Sequence, residues 1–363
     1  MANIENGLRL YAGTYTSGDS KSKGIYLLNF DPKSGGLSEP KLVAETEEPS
    51  FLAVSRDGKY LYSANETLKF EGKDSGYVSA FEINRKTGDL KFLNRQPSHG
   101  AAPCSIAISD DGKLVLVANY LGGNVAAFPV NSDGSLKPAS DIKQHVGKGT
   151  HPRQEAPHAH SVVLDRANKY LFVNDLGIDR IVSYSVDGKT GKLTANAENY
   201  STKPAAGPRH FKFHPNGRFG FLNNELDMTV TSLAYDASSG KLAEIQTLST
   251  LPDGYKITKA DSVADIHVSP DGRFLYVSNR GHDSIASYAI DANNGTLTPI
   301  EFTKTGGKMP RNFAIDPTGN FLLAANQISD SITVFKIDNE SGTLTSTNAG
   351  AAIPRPVCLV FAK

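Results

Sequence analysis

The chain has 363 residues, with 38 basic and 38 acidic side chains and 39% hydrophobic residues. This composition is typical of a soluble globular protein with a sizeable core, and the balanced charge does not favour a nucleic-acid or membrane partner. The segment MANIENGLRLYAG lacks the basic and apolar regions of a secretory signal, and no apolar run approaches the ~18 residues of a membrane span, so we expect a cytoplasmic protein.

The first 44 residues predict three β-strands, LRLYAGT, GIYLLNF and LSEPKLV. Six units with one common pattern follow: an apolar strand, a turn of the Asp-Gly type, a second strand, a third strand and, after a Gly-x-Leu signal, a fourth. Alternating β-branched and aromatic residues between such turn signals are typical of strands joined by tight turns. The six units begin near Ser50, Cys104, His160, Arg209, Ala264 and Arg311.

The turn positions recur every 47 to 56 residues, at Gly58, Gly112, Asn168, Gly217, Gly272 and Gly319. Four strands in a repeat of about this length predict an all-β propeller, because a lone four-stranded sheet cannot bury both of its faces. The C-terminal strand PVCLVFA, residues 356–362, lacks partners of its own and can join the three N-terminal strands. We therefore predict a single seven-bladed β-propeller domain, residues 1–363, whose ring is closed by the C-terminal strand in the first blade.

In a propeller, the start of each first strand and the end of each second strand meet at one central mouth. The residues that begin the first strands, here called the first column, are Ser50, Cys104, His160, Arg209, Ala264, Arg311 and, by matching IPRPV to KMPRNF, Arg355. Those that end the second strands, the second column, are Glu66, Tyr120, Leu176, Glu225, Arg280 and Gln327. His210, Asp265 and Asn312 lie beside the first column. The mouth is thus expected to be rich in cationic and acid–base groups.

The stretch HPRQEAPHAHS, residues 151–161, could be a metal site, a solvated loop or part of a catalytic centre. A third ligand at a recognisable spacing is missing and neither Cys104 nor Cys358 forms a metal motif, so we predict no metal and no other cofactor. Both cysteines are expected to be reduced, packed thiols. His160 falls in the first column, which points to catalysis or binding, whereas His214 and His267 are expected to be packed within strands.

At these residues the chain resembles the seven-bladed propeller lactonases, the family of bacterial 6-phosphogluconolactonase and fungal carboxy-cis,cis-muconate cyclase. The similar segments are APHAHSVVLD, GPRHFKFHPNGRFGFLNNEL, ADIHVSPDGRFLYVSNRGHDSI and MPRNFAIDPTGNFLLAANQ, and the resemblance runs from residue 8 to 361. It implies a metal-independent site in the central mouth. Matched motif by motif, its catalytic residues would be His160, Arg209, Glu225 and Arg280.

A lactone hydrolase needs a base to activate water, donors for the developing oxyanion and cations for an anionic substrate. We assign His160 as the base, Glu225 as its orienting or relaying partner, and Arg209 and Arg280 to the oxyanion and the substrate anion. Candidate substrate-binding residues are Arg311, His210, Glu66, Asp265 and Arg355. Arg311 and Arg355 could instead be hydrogen-bond donors between strands, and Glu225 a solvated surface group.

Three functions remain open. The first is hydrolysis of 6-phosphoglucono-1,5-lactone in the pentose phosphate pathway, the second a lactone-forming cycloisomerase of the carboxymuconate type, and the third a non-catalytic binding propeller. Propellers host all three, so the fold alone does not choose. The cluster of a base and arginines argues against the third, and the breadth of metabolic use favours the hydrolase. We expect a small anionic lactone as the partner and a monomer or weak homo-oligomer.

Overall fold

The computed structural model describes residues 7–196 and 199–362. Within these ranges the chain forms β-strands joined by turns, and its one helical segment is a 3₁₀ turn at Leu176–Ile178. No helix in the described part of the chain is long and apolar enough to cross a membrane.

The described residues form seven sheets of four or five strands and one separate two-stranded hairpin, and we number the seven larger sheets in chain order. The first sheet contains β1 (Leu8–Thr14), β2 (Gly24–Phe30) and β3 (Lys41–Glu45), and the second contains β4 (Pro49–Val54), β5 (Tyr60–Asn65), β8 (Tyr77–Ile83) and β9 (Leu90–Pro97). Between β5 and β8 the chain forms the separate hairpin β6 (Lys69–Phe70) and β7 (Lys73–Asp74). The third sheet contains β10 (Pro103–Ile108), β11 (Leu114–Asn119), β12 (Asn124–Pro129) and β13 (Asp141–Gln144). The fourth contains β14 (Ala159–Leu164), β15 (Tyr170–Asp175), β16 (Arg180–Val186), β17 (Leu193–Ala195) and β18 (Tyr200–Ser201).

The fifth to seventh sheets repeat the same four-strand order. They contain β19 (Pro208–Phe213), β20 (Phe219–Asn224), β21 (Thr229–Asp236), β22 (Lys241–Ser249); β23 (Ser262–Val268), β24 (Phe274–Arg280), β25 (Ser284–Ile290), β26 (Leu297–Lys304); β27 (Pro310–Ile315), β28 (Phe321–Asn326), β29 (Ser331–Ile337) and β30 (Leu344–Ala352). The final strand, β31 (Pro356–Ala362), completes the first sheet in the order β3-β2-β1-β31. The predicted pairing of the C-terminal strand with the N-terminal strands is confirmed.

The turn between the first and second strands explains the repeated glycine. Gly58, for example, has φ +67° and donates its N–H to the Ser55 carbonyl at 2.8 Å. This left-handed conformation costs glycine least because glycine has no Cβ, and it costs asparagine less than most other residues because the short Asn side chain can hydrogen-bond to the nearby backbone. Asn168 accordingly occupies the same position with φ +55°.

A β-bulge recurs where the first strand begins. The register between first and second strands skips one residue after the initial proline or alanine, and the skipped residues are Ser50, Cys104, His160 and Arg311. A bulge bends the strand and re-aims the side chain of the extra residue. Four of the seven first-column residues are therefore bulged positions in the structure.

Three details differ from the sequence prediction. The third strand spans Lys41–Glu45 rather than LSEPKLV, and Leu37 forms only an isolated bridge to Phe30. The second sheet carries the extra hairpin β6–β7, and the fourth carries five strands because β17 and β18 both pair with β16. The extra hairpin and the fifth strand share one cause, because the local alternation of residues predicts that a strand exists but not which neighbour it pairs with.

The hydrophobic cores lie between neighbouring sheets. Apolar side chains pack between the second and third, third and fourth, fifth and sixth, and sixth and seventh sheets. Both cysteines are buried thiols rather than a disulfide, as predicted.

The described residues form two compact units. The Arg209 unit comprises residues 7–12, 28–41 and 209–361, and the His160 unit comprises 13–27, 42–208 and 362. That the whole chain is one domain stays a prediction.

Candidate active site

Glu225 is the centre of a buried ion-pair cluster in the Arg209 unit. It follows β20, while Arg209 lies at the start of β19 and Arg280 ends β24. Its Oε2 lies 2.9 Å from Nε of Arg209, and its Oε1 lies 3.0 Å from Nη2 of Arg280. All three side chains are at least nine-tenths buried. One carboxylate thus forms ion pairs with two guanidiniums, and the attraction is strong because these opposite charges are shielded from water.

Both arginines also donate hydrogen bonds to backbone carbonyls. Nη1 of Arg209 donates to the carbonyl of Ala264, and Nη2 of Arg280 donates to the carbonyl of Val263 at 3.1 Å. Burial and the nearby charge of Arg280 lower the pKa of Arg209 to about 10. That value is still well above neutrality, so Arg209 stays cationic at working pH.

His210 lies directly beneath the guanidinium of Arg209. Nη1 of Arg209 is 3.2 Å from Nδ1 and 3.1 Å from Nε2 of the imidazole, which places it over the ring rather than at one edge. Nδ1 of His210 is 2.7 Å from Oδ1 of Asp265. Burial and the charge of Arg209 lower the pKa of His210 to about 3, so its ring is neutral.

Asp265 joins side chains from three sheets. Besides His210 of the fifth sheet, its carboxylate binds Nε2 of His267 at 3.0 Å and accepts a hydrogen bond from the Asn312 amide of the seventh. Burial would raise the pKa of Asp265, but the interactions with His267 and His210 outweigh it and hold that pKa well below the usual range. Asp265 is therefore a buried, ionised link.

Two further predicted arginines belong to the same unit. Both Arg311 and Arg355 are partly exposed. The charge of Arg311 contributes to lowering the pKa of Arg209, so the two guanidiniums share one electrostatic environment. The backbone N–H of Arg355 donates to Oδ1 of Asp330 at 2.9 Å, and its φ is +42°.

His160 is a buried member of the His160 unit. Its ring packs edge-on against Tyr120 with centroids 5.3 Å apart, and its Nδ1 lies 3.8 Å from Sγ of Cys104. The Cys104 thiol also donates to the His160 carbonyl at 3.3 Å. Tyr120 and Cys104 occupy the second and first columns, yet the sequence analysis assigned neither of them a role in the site.

The loop that contains HPRQEAPHAHS is held at both ends by Asp175. Oδ2 of this fully buried carboxylate lies 2.6 Å from Nδ1 of His145, and Oδ1 accepts the backbone N–H of His158 at 2.7 Å. Gln154 secures the middle through Asp179 and the Leu176 carbonyl. Sequence spacing gave no sign of this clamp, because His145 and Asp175 are 30 residues apart.

His158 is a stacking residue rather than part of a ligand cluster. Its ring lies parallel to Tyr120 with centroids 4.5 Å apart, and its Nδ1 is 3.1 Å from the Tyr120 carbonyl. Within residues 7–196 and 199–362, no group of three or more His, Cys, Asp and Glu side chains is arranged to hold a metal ion. Glu66 is partly exposed and accepts a hydrogen bond from the Tyr15 hydroxyl at 2.9 Å.

The predicted site residues therefore fall into two groups. Arg209, His210, Glu225, Asp265 and Arg280 form one connected cluster in the Arg209 unit, which Arg311 joins electrostatically. Arg355 lies in the same unit, and His160 and Glu66 in the His160 unit, each with the contacts given above.

Comparison with known proteins agrees with this architecture. The family described as Lactonase, 7-bladed beta-propeller matches residues 9–361. A 6-phosphogluconolactonase of Bacillus subtilis is 41% identical over 303 residues, which is 84% of this chain and 83% of that protein. One of Formosa agariphila is 40% identical over 317 residues, 84% of this chain and 86% of that protein.

Solved structures agree over nearly the whole chain. The periplasmic gluconolactonase of Pseudomonas aeruginosa superposes with a TM-score of 0.92 at 34% identity, covering 98% of this chain and 99% of that one. A putative 6-phosphogluconolactonase of Bacteroides fragilis superposes with a TM-score of 0.90 at 37% identity, covering 100% of both chains.

The fold and the sequence define a class of enzyme. The chain belongs to the seven-bladed β-propeller lactonase family. The predicted fold class, an all-β seven-bladed propeller, is confirmed, and so is the predicted enzyme class, a lactone hydrolase that acts on a small substrate.

Proposed function

We propose that the protein hydrolyses 6-phosphoglucono-1,5-lactone to 6-phosphogluconate, the lactone-opening step of the pentose phosphate pathway. The observation that carries this proposal is the buried carboxylate of Glu225 paired with Arg209 and Arg280, with the charge of Arg311 acting on Arg209. Three guanidiniums against the carboxylates of Glu225 and Asp265 leave a net positive charge among these groups. Such a charge suits a substrate that carries a phosphate and develops an oxyanion during reaction.

The reaction adds water to the lactone carbonyl and then breaks the bond between that carbon and the ring oxygen. His160 is the general base that takes the proton of the attacking water and returns it to the leaving ring oxygen, since an imidazole titrates near neutral pH. Arg209 stabilises the carbonyl oxygen as negative charge develops there, and Arg280 holds the substrate anion. Glu225 fixes the two guanidiniums through its paired contacts.

A second substrate, the unphosphorylated gluconolactone, is favoured by one observation. The Pseudomonas aeruginosa protein that superposes so closely is a gluconolactonase by name. The two lactones differ in the phosphate alone, so the arginines decide between them. An enzyme selective for the phosphorylated lactone should lose that selectivity when an arginine that binds phosphate is removed.

We place the reaction in the cytoplasm and propose that the protein acts as a monomer or weak homo-oligomer without nucleic-acid or membrane partners. The balanced charge of 38 basic and 38 acidic residues supports the absence of nucleic-acid and membrane partners, because nucleic-acid and anionic membrane binding need a basic surface.

The deciding experiment measures acid release from each lactone in a weakly buffered solution, corrected for spontaneous hydrolysis with boiled protein. The native protein should open the phosphorylated lactone, and His160→Ala should lower kcat by roughly 100-fold or more with the fold preserved. Full activity of His160→Ala would place the base elsewhere. If the native protein opens neither lactone, the carboxymuconate-type cycloisomerase and binding functions are the ones to test.

The arginines need a matched control. Arg280→Gln should raise KM more for the phosphorylated than for the unphosphorylated lactone, whereas Arg209→Gln should lower kcat on both by roughly 100-fold. Arg273 precedes the strand that Arg280 ends, and it forms an exposed ion pair with Asp271. Arg273→Gln should therefore leave both constants unchanged. Equal effects of the Arg280 and Arg273 variants would refute the assignment.

A further inference from the structure

We propose that His210 and Asp265 are positioning residues that hold the guanidinium of Arg209 in its working orientation, rather than part of the surface that touches substrate. The effect of this inference on catalysis rests on the proposed function, because it assigns the pair a task through Arg209. The geometry itself stands independently of which lactone the protein opens.

The imidazole of His210 is a fixed platform under Arg209. One guanidinium nitrogen is 3.1 to 3.2 Å from both ring nitrogens, so the guanidinium and the ring are in face contact. The His210 backbone N–H donates to the Asn223 side chain at 2.8 Å, and its ring edge is held by Asp265 at 2.7 Å. A platform fixed at both places limits how far the guanidinium above it can tilt.

Asp265 is itself unable to rotate. Oδ1 contacts His210 and accepts the Ile266 backbone N–H at 2.9 Å, while Oδ2 contacts His267 and the Asn312 amide. The amide oxygen of Asn312 in turn accepts the backbone N–H of Leu359 at 2.7 Å. A hydrogen-bonded chain therefore runs from the fifth sheet through the sixth and seventh to β31. Because every member has a partner, the chain is stiff.

The charges around the ring suit this role. His210 faces the cation of Arg209 above, the carboxylate of Asp265 at its edge, the amide of Asn223 at its backbone and the charge of Lys212 in the same strand. A protonated ring would set two positive charges face to face, and burial makes that worse, so the pKa of His210 falls to about 3. A neutral ring can donate from Nδ1 to Asp265 while its face accepts the guanidinium.

His214 supplies a matched control in the same part of the chain. It is as buried as His210, and its Nε2 also bridges to the next sheet, at 2.8 Å from the Gly272 carbonyl. The described hydrogen bonds and ring contacts of its side chain are with that carbonyl, the Asn216 backbone and two phenylalanine rings, and none is with Arg209. Replacement of His214 should lower the free energy of unfolding, as replacement of His210 should, but it should leave the guanidinium of Arg209 in place.

The first experiment compares His210→Gln, Asp265→Asn and His214→Gln by kinetics at a temperature where all three are folded. A positioning role predicts that the first two lower kcat by roughly 10-fold or more on any lactone the protein opens, with a smaller change in KM, since a misplaced oxyanion donor is felt mainly in the transition state. His214→Gln should keep the native kcat. Equal kcat values for all three variants would overturn the proposal.

The second experiment uses no substrate, so it separates this inference from the proposed function. The Nε–H resonance of Arg209, assigned by its loss in Arg209→Lys, should be sharp in nitrogen–proton spectra of the native protein because the guanidinium is held. It should shift or broaden in His210→Gln and in Asp265→Asn but not in His214→Gln. An unchanged Arg209 signal in the first two variants would overturn the proposal even if the enzyme is active. The expected signals in a protein that opens no lactone would leave the positioning intact and refute only the function.

Discussion

The C-terminal strand β31 should contribute a large share of the stability of the whole protein. It lies beside β1 in the first sheet, although the two strands come from opposite ends of the chain. Val357 and Leu359 are 2% and 5% exposed. The backbone N–H of Leu359 also satisfies the side-chain oxygen of Asn312. Deleting residues 356–363 removes these contacts and opens the edge of β1 to solvent.

The expected loss can be estimated from these contacts. Burying a valine or leucine side chain stabilises a protein by about 1.5 to 3 kcal/mol, so the two together contribute about 3 to 6 kcal/mol. The orphaned Asn312 oxygen costs about 1 to 3 kcal/mol more. The free energy of unfolding of most proteins is only about 5 to 15 kcal/mol, so the truncation removes a large part of it.

Thermal unfolding followed by circular dichroism measures the effect. The truncated protein should unfold at a much lower midpoint and aggregate, because an unpaired strand edge pairs with other molecules. Leu359→Ala is a milder change that keeps β31 in place, and it should lower the free energy of unfolding by about 2 to 5 kcal/mol without exposing the edge of β1. Deletion of residue 363 alone serves as the control. An unchanged midpoint after deletion of 356–363 would show that β31 does not close the structure.

Three further predictions concern the buried imidazole of His210, the loop held by Asp175, and metal dependence. The pKa of His210 is about 3 in the folded protein and about 6.5 when unfolded. Between these values the unfolded chain binds a proton that the folded protein does not, so the free energy of unfolding decreases as the pH is lowered. At pH 5 the loss is about 2 kcal/mol relative to neutral pH. Denaturant unfolding at pH 7.5 and 5 should show a loss that is larger by about this amount in the native protein than in His210→Gln, because His99 and His282 also have lowered pKa values and titrate in both proteins. A loss of equal size in both would contradict the assignment. His145→Ala leaves Asp175 without one of its clamp partners, so trypsin should cut sooner at the exposed Lys148 and Arg153 than in the native protein; an unchanged cleavage rate would mean that the clamp does not hold the loop. Activity should survive exhaustive chelation, and a transition metal lost together with activity would show that a metal is required.

Local patterns were sufficient for the strands, the turns and the two columns. A strand buries alternate side chains and a left-handed turn accepts few residues, so both leave marks within a few neighbouring positions of the sequence. The glycine and asparagine turn positions and the starts of the first strands were predicted in this way. The added hairpin β6–β7 and the division of the fourth sheet's last strand were not, because they depend on pairing between segments.

Repeat alignment predicted which charged residues gather, and the tertiary structure decided what they do to one another. Arg209, Glu225 and Arg280 lie in the columns and were assigned as catalytic through the family resemblance, but only packing showed that one carboxylate pairs with both arginines. The same holds for Asp265, which the sequence analysis predicted as a substrate-binding residue, because only packing showed that its carboxylate links three sheets.

The physical reason lies in the distances along the chain. Several contacts between candidate site residues join positions about one blade repeat apart: 55 positions from His210 to Asp265, 47 from Asp265 to Asn312, and 56 from Cys104 to His160. The sequence alone determined the period and therefore which positions become neighbours in adjacent blades. Whether two such neighbours form an ion pair, a stacked pair or a hydrogen bond depends on side-chain direction, and the β-bulges and the packing of one sheet on the next set that direction only in the folded protein.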